Sequence, residues 1–244
     1  RSVYSIHDCE LSGNTEKNPN AKIIYNSLTC LEKVSNVSQF LKIHPENPQL
    51  HLIRLAANML MKEGVIVYPT DSAYALGCQL GNKKGIQRIR QIRQLRDQHC
   101  LTLLCRDISE MALFAQLENP IFRLIKANTP GPYTFLLPVT SHVPRYLVNN
   151  KRKTIGIRIP DNKIVHALLE MIDQPLVSTT LILPDADLPL LEPEAICDIL
   201  GKRIDLVIDG GFCGLEPTTV VDLSKNTAEI IRCGKGDVKP FQSM

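Results

Sequence analysis

Apolar residues recur at every third or fourth position in several stretches of the chain, which predicts amphipathic helices. The first predicted helix covers residues 49–63 and ends at Gly64, a residue that tolerates the left-handed conformation that often follows a helix. Further helices are predicted over residues 83–94, 121–128 and 164–172, and another includes Met111, Leu113, Phe114 and Ala115.

Short runs rich in β-branched residues between these helices predict strands. The run at residues 65–68 is apolar at consecutive positions, so we expect a strand that is buried on both faces and stopped by Pro69. Further strands are predicted at residues 101–105, 134–139, 154–159, 176–179, 206–209 and 219–222. Because helices and strands alternate, the pattern favours one α/β domain with a twisted mixed sheet and flanking helices.

The first 36 residues differ from the rest of the chain. They are rich in Ser, Asn, Thr and Lys, are interrupted by Gly13 and Pro19, and show little apolar periodicity. We interpret residues 1–36 as a polar, partly disordered extension with a possible short element at residues 23–25, and residues 38–244 as the folded domain.

Composition bears on membrane association, on the redox state of the cysteines and on metal binding. No apolar run approaches the roughly 20 residues that span a bilayer, so we expect no membrane association. The 8 cysteines contain no C-x-x-C pair, which favours reduced thiols and a cytoplasmic location over disulfides or a zinc knuckle. The histidines lack metal-ligand spacing, and His99 is interpreted as a surface loop residue in preference to a catalytic one.

The distribution of charge is more informative than the net charge of +3. Basic residues dominate residues 83–106, and residues 123–158 contain no acidic residue at all. Such blocks attract phosphates, which favours an anionic partner and a concave basic pocket. A solvated basic surface is the alternative interpretation, and the charge pattern alone leaves both open.

Polar residues directly follow the predicted strand at residues 65–68 and precede a predicted turn. Thr70 and Ser72 can contact an amino-acid or phosphate group, and Asp71 can hold a cation or cap a following helix. Sites in α/β proteins often lie at such strand ends. A second candidate is Arg158 within a predicted strand, which is interpreted either as a phosphate contact in a pocket or as half of a structural ion pair.

Five ordered motifs resemble the YrdC-like domain family, whose signature after a strand is P-T-D-T-x-Y-G-L-G. The matching segments are residues 69–77, 129–134, 154–160, 217–222 and 231–234, and the resemblance extends from about residue 39 to residue 241. Within the family, Arg93-Gln94-Leu95 and the closing segment at residues 236–241 look like the YciO branch.

Catalytic members of this family are L-threonylcarbamoyladenylate synthases, which join threonine, bicarbonate and ATP, usually with Mg²⁺, and release pyrophosphate. The resemblance therefore implies ATP with Mg²⁺, threonine and bicarbonate as ligands, without a metal site on the protein. It implies Arg93 and Arg158 as catalytic residues. The implied substrate and nucleotide contacts are Thr70, Asp71, Ser72, Tyr74, Thr102, Thr134, Ser178, Thr180, Thr218 and Arg232.

Two positions depart from the family pattern. The K-x-R pair falls on Arg93 and Leu95, and the S-x-N pair falls on Ser178 and Thr180. Leucine cannot contact a phosphate as a guanidinium does, and loss of one such contact commonly costs about 10²–10³ in rate. We therefore expect weakened or redirected synthase activity, unless the adjacent Arg96 compensates.

Two other functions stay open. A module that binds double-stranded RNA or tRNA needs positive charge and shape but no intact set of catalytic residues. Arg232 illustrates the ambiguity, because it can close over a phosphate or be solvated on a terminal strand. Hydrolysis or transfer on another adenylate, in the same pocket, is the third hypothesis.

Overall fold

The computed structural model describes residues 38–95, 101–148, 152–184, 186–225 and 227–242. The predicted extension at residues 1–36 and its short element at 23–25 lie outside the described residues, as do Arg96, His99 and Lys151. Among the described ranges, no helix combines the length and apolar character that crossing a membrane would require.

The described residues form one mixed sheet of ten strands. The strands are β1 (Gln39–Lys42), β2 (Ile66–Tyr68), β3 (Ala75–Gln79), β4 (Thr102–Leu104), β5 (Tyr133–Pro138), β6 (Thr154–Arg158), β7 (Leu176–Thr180), β8 (Leu206–Asp209), β9 (Thr219–Asp222) and β10 (Glu229–Arg232). Their order across the sheet is β1-β8-β2-β3-β7-β4-β6-β5-β9-β10. β1 and β2 each run parallel to β8, whereas β7 runs antiparallel to both β3 and β4.

Six helices flank the sheet in the described part of the chain. They are α1 (Leu50–Met61), α2 (Lys83–Arg93), α3 (Ile108–Phe114), α4 (Asn119–Ala127), α5 (Lys163–Ile172) and α6 (Pro193–Leu200). Asn82, Asp107 and Asn162 cap α2, α3 and α5 because the side chain of each accepts a hydrogen bond from a backbone amide of the first turn. The predicted α/β class, with a mixed sheet and flanking helices, is confirmed.

Two apolar clusters pack on opposite faces of the sheet, because side chains alternate along each strand. The larger cluster joins Ile89 of α2, Met111 of α3 and Ile125 of α4 to strand residues such as Leu103 and Ile157. The smaller cluster joins α1 and α5 to the face that carries Ile66, Tyr68, Ala75, Leu104 and Leu176. Helices α1 and α5 thus cover only part of the second face.

The sequence predicted a turn after the polar residues that follow β2 and no strand at residues 75–79, where the structure has strand β3. A Cβ atom on Gly77 would lie 2.7 Å from the Cε1 atom of Tyr68, so the small residue makes room for the neighbouring ring. A strand after Ser72 also rules out Asp71 as a helix cap. Strand β1 and helix α6 are further elements that the sequence pattern did not predict.

Candidate functional site

An open cavity of about 310 Å³ occupies the part of the second sheet face that α1 and α5 leave uncovered. Its residues come from strands β3 to β7, β9 and β10 and from the loops beside them. The lining consists of Thr70, Ala73, Ala75, Thr102, Leu104, Thr134, Leu136, Gly156, Arg158, Ser178, Thr179, Thr180, Thr218, Val220, Ile231 and Arg232. Eight of the twelve predicted site residues are in this set, namely Thr70, Thr102, Thr134, Arg158, Ser178, Thr180, Thr218 and Arg232.

The alternation of strand residues explains why hydroxyl groups converge on the cavity. On β4, Thr102 faces the cavity while its neighbour Leu103 is in the larger apolar cluster on the opposite face. On β5 the same alternation separates Thr134 from Phe135. The cavity is therefore built from hydroxyl-bearing positions on neighbouring strands, and it can donate and accept several hydrogen bonds.

Gly156 keeps the floor of the cavity open. A Cβ atom at this position would lie 3.3 Å from Thr102 Oγ1 and 3.3 Å from the Cγ2 atom of Thr134. These two residues belong to the strands on either side of β6. The glycine thus allows the two threonine side chains to approach each other across β6.

Arg158 and Asp71 form a buried ion pair at the cavity. Their side chains are only 7% and 9% exposed, and Nη2 of the arginine donates to Oδ1 of the aspartate. The second carboxylate oxygen of Asp71 accepts from the amide of Asp161 at 3.1 Å. Burial lowers the pKa of Arg158 to about 10, which leaves it charged at neutral pH. Arg158 thus lines the cavity and is also half of an ion pair, while its contact with a phosphate stays a prediction.

The Nε atom of Arg158 is buried and has no hydrogen-bond partner among the described residues. Buried donors of this kind are uncommon in folded proteins and call for an explanation, such as a functional role. The Nε atoms of Arg88, Arg93 and Arg106 share this feature, so it does not by itself mark the cavity.

Hydrogen bonds connect three lining residues of the cavity, Arg232, Thr218 and Thr134. Arg232 on β10 donates from Nη2 to the Thr218 carbonyl at 2.8 Å and to Thr218 Oγ1 at 3.2 Å. The Thr218 and Thr134 hydroxyl oxygens are 2.9 Å apart. Arg232 is exposed as a residue, but its guanidinium is partly buried against Thr218, and this burial lowers its pKa.

Thr70 organises the loop between β2 and β3. Its Oγ1 donates to the Ala73 carbonyl at 2.6 Å and accepts from the amides of Ser72 and Ala73 at 3.1 and 3.2 Å. The Ser72 hydroxyl lies 3.1 Å from the same oxygen. Much of the hydrogen-bonding capacity of Thr70 is thus used within its own loop, although the residue borders the cavity.

Four predicted site residues are outside the cavity lining. Asp71 accepts a hydrogen bond from Arg158, and the Ser72 hydroxyl is within hydrogen-bond distance of the Thr70 hydroxyl. The Tyr74 hydroxyl donates to the Gly211 carbonyl at 2.8 Å and accepts from the Gly210 amide at 3.3 Å, within the larger apolar cluster. The structure therefore places Tyr74 against the turn at Gly210 and Gly211.

Arg93, the fourth of these residues, ends α2 on the face of the sheet opposite the cavity. It is half-buried, and burial lowers its pKa. Leu95 packs against the larger apolar cluster. The structure thus does not bring the Arg93 and Leu95 pair to the hydroxyl groups of the cavity, and Arg96 is outside the described residues.

The basic stretches mostly lie away from the cavity. Lys83 and Lys84 on α2 and Arg123 and Lys126 on α4 are exposed on helices that pack against the opposite face. The positive charges that line the cavity are Arg158 and Arg232. The expected concave basic pocket is therefore better described as a hydroxyl-lined cavity with two arginines, one of which is paired.

Sequence reasoning missed the apolar wall of the cavity, which includes Leu136 and Val220. Each lies two positions from a predicted site residue, Thr134 or Thr218, so the two-residue period of a strand could have identified both. Across the described residues, no group of three or more His, Cys, Asp or Glu side chains is placed to hold a metal ion.

Comparison with known proteins identifies the family. The model of the Sua5, YciO and YrdC family, which carries the description "Telomere recombination", matches residues 58–234. This chain belongs to the Sua5/YciO/YrdC family. YciO of Escherichia coli K12 is 53% identical over 205 residues, which cover 84% of this chain and 100% of that protein. A Haemophilus influenzae protein is 51% identical over 206 residues.

Solved structures of the Sua5/YciO/YrdC family agree with the fold. The crystal structure of E. coli YciO matches with a TM-score of 0.81 and covers 84% of this chain and 99% of that one. Sua5 of P. abyssi complexed with L-threonine matches with a TM-score of 0.74 at 22% identity, over 81% of this chain and 58% of that one. The latter likeness concerns the fold alone.

Proposed function

We propose that the cavity binds a nucleotide and that the protein is an L-threonylcarbamoyladenylate synthase-like enzyme whose activity is weakened or redirected. The observation that carries this proposal is the convergence of hydroxyl-bearing residues and two arginines on one cavity of about 310 Å³. A cavity of this size suits a small ligand, and hydroxyl and guanidinium groups are suitable donors to phosphate and carboxylate oxygens. The threonine bound to Sua5, a protein of the same fold, supports an amino acid as co-substrate.

The proposed reaction has two bond-forming steps. The amino group of threonine combines with bicarbonate to give a carbamate and water. A carbamate oxygen then attacks the α-phosphorus of ATP, and pyrophosphate leaves with its bonding electrons. Because negative charge shifts towards the bridging and leaving oxygens, fixed donors around the phosphates lower the barrier. We propose that ATP enters with Mg²⁺ held by its own phosphates, the usual arrangement for this ion.

Roles follow from the positions of the side chains. Arg158 is the candidate for an electrostatic contact with the reacting groups, because it is buried and oriented by Asp71. Thr102, Thr134 and Ser178 are candidate donors on the cavity floor. Arg232 at the rim is the candidate for a terminal phosphate contact, since it is exposed and anchored through Thr218.

The departures from the family pattern are the reason why we propose weakened or redirected activity. Thr180 lines the cavity but has one hydroxyl where the family has an amide, so it offers one donor fewer. Arg93 and Leu95 are outside the cavity lining. With one donor fewer at Thr180 in the cavity, we expect slower turnover than that of a synthase with the S-x-N pair intact.

The test is pyrophosphate release by the full chain with ATP, Mg²⁺, bicarbonate and threonine, beside a reaction without threonine. Thr102→Val removes a cavity hydroxyl at nearly constant volume, and Thr140→Val is the matched control. Thr140 donates to the Leu113 carbonyl, outside the cavity. We expect threonine-dependent release that falls about three- to tenfold in Thr102→Val, the size expected for one hydrogen bond, and is unchanged in Thr140→Val.

Three outcomes distinguish the hypotheses. Pyrophosphate release that does not depend on threonine contradicts the synthase proposal and favours chemistry on another adenylate. Binding of double-stranded RNA or tRNA without ATP binding in calorimetry favours the RNA-binding module. Equal loss in Thr102→Val and Thr140→Val shows that the effect does not originate in the cavity.

A further inference from the structure

Tyr68 reaches the cavity floor from a neighbouring part of the sheet. It is the last residue of β2, its side chain is fully buried, and its hydroxyl lies 2.6 Å from Ser178 Oγ on β7. Strand β3 lies between these two strands. The tyrosine ring must therefore cross β3 to make this contact.

Gly77 permits the crossing. It pairs with Ile66 of β2 on one side and with Ser178 of β7 on the other. A Cβ atom here would lie 2.7 Å from Cε1 and 3.0 Å from the hydroxyl of Tyr68, closer than non-bonded atoms normally approach. The absence of a side chain at Gly77 thus creates the space through which Tyr68 contacts Ser178.

The geometry of the contact makes Tyr68 the donor and Ser178 Oγ the acceptor of this hydrogen bond. Burial disfavours the phenolate and raises the pKa of Tyr68 well above its usual range, so the tyrosine keeps the proton that this bond requires. A serine hydroxyl carries one proton of its own. With one lone pair of Ser178 occupied by Tyr68, that proton is directed away from the tyrosine. Ser178 is itself a lining residue of the cavity.

We propose that Tyr68 is a positioning residue that fixes the Ser178 hydroxyl as a hydrogen-bond donor to an anionic group of the bound nucleotide. This inference rests on the proposed function. Tyr68 is not among the lining residues of the cavity, so its effect on a ligand is transmitted through Ser178. A fixed donor loses less conformational freedom on binding than a freely rotating hydroxyl does.

The test measures the affinity of the full chain for ATP with Mg²⁺ by calorimetry. Tyr68→Phe removes only the donor, and Tyr133→Phe is the matched control. The Tyr133 hydroxyl donates to the Asp237 carbonyl at 3.2 Å, and its ring packs in the larger apolar cluster on the opposite face. We expect about three- to tenfold weaker binding for Tyr68→Phe and less than a twofold change for Tyr133→Phe.

A double-mutant cycle separates positioning from a general structural effect. Ser178→Ala weakens binding by itself, and adding Tyr68→Phe to it has no further effect if the tyrosine acts through the serine. Multiplied losses in the double variant overturn the inference, as does wild-type affinity in Tyr68→Phe. Gly77→Ala is a second test of the inference. Its methyl group displaces the Tyr68 ring, so the affinity for ATP with Mg²⁺ should fall. Unchanged affinity in this variant also contradicts the inference.

The two proposals fail in different ways. A wild-type protein that does not bind ATP with Mg²⁺ contradicts the proposed function, and the role of Tyr68 in nucleotide binding fails with it. A wild-type protein that binds, together with a Tyr68→Phe variant that binds equally well, contradicts the positioning role alone. Thermal unfolding without ligand confirms that each variant is folded before its affinity is compared.

Discussion

Replacing Arg158 by methionine removes one partner of a buried ion pair and leaves the other in place. The side chains of Arg158 and Asp71 are 7% and 9% exposed, so the carboxylate that remains is poorly solvated. Breaking such a pair typically costs about 3–5 kcal/mol of unfolding free energy. Because Asp71 keeps the hydrogen bond from the Asp161 amide, we expect the lower end of this range, about 3 kcal/mol.

Urea unfolding followed by circular dichroism measures this loss. With a denaturant dependence of about 2 kcal/mol per molar urea, the midpoint of Arg158→Met should fall by about 1.5 M. The double variant Arg158→Met with Asp71→Asn removes both charges, and it should recover about half of the loss. Arg123→Met, which changes an exposed arginine on α4, should stay within about 0.5 kcal/mol of the wild type.

Two results would refute this reasoning. One is a urea midpoint for Arg158→Met within about 0.3 M of the wild-type midpoint. At about 2 kcal/mol per molar urea, such a shift corresponds to a loss of only about 0.6 kcal/mol, far below the expected loss of about 3 kcal/mol. The other is a double variant whose loss equals the sum of the losses of the two single variants. Additivity of this kind is typical of residues that do not interact, and it would show that the pair is not coupled in solution.

Three further predictions concern positions at and away from the cavity. Leu95→Arg should lower the unfolding free energy by about 1 kcal/mol in urea without raising pyrophosphate release, because Leu95 packs against the apolar cluster. Thr180→Asn adds donors at the cavity, and calorimetry should show about two- to fivefold tighter ATP binding; weaker binding would contradict this role. Mass spectrometry after brief alkylation should find the exposed Cys233 modified before the buried Cys78 and Cys105, since burial raises the pKa of Cys78 to about 12.

The sequence predicted best those elements whose own residues specify their structure. The β-branched runs at residues 206–209 and 219–222 correspond to β8 and β9 residue for residue. Helix α5 was predicted to within one residue, because its apolar positions repeat at helical spacing.

The elements that were missed depend on their neighbours. Strand β1 is short and mostly exposed, so it lacks an apolar pattern, and its pairing with β8 defines it. Strand β3 contains Gly77, which weakens a strand locally but is required here by the Tyr68 ring. Helix α6 begins with Pro193, a residue that is tolerated in the first turn of a helix but is also frequent in loops.

The candidate site was predictable as a set of residues but not as a set of contacts. Motif resemblance named Asp71 and Arg158 separately, yet they are 87 positions apart and only the folded sheet pairs them. Tyr68 was not predicted as a site residue at all, because its contact with Ser178, 110 positions away, exists only in the folded sheet. Arg93 was assigned by motif position, and the packing of α2 on the opposite face of the sheet is a tertiary feature that motif position does not contain.

The order of strands in the sheet has a consequence for biosynthesis. The cavity takes residues from β3 to β7, β9 and β10, and its rim residue Arg232 belongs to β10, the last of the described strands along the chain. During translation, a chain that stops before residue 229 lacks β10 and the anchor that holds Thr218. A nascent chain without β10 therefore cannot present the complete cavity lining. Binding of a ligand that contacts Arg232 should consequently require β10 to be in place, so such a ligand stabilises the assembled sheet and does not act as a template for its earlier strands.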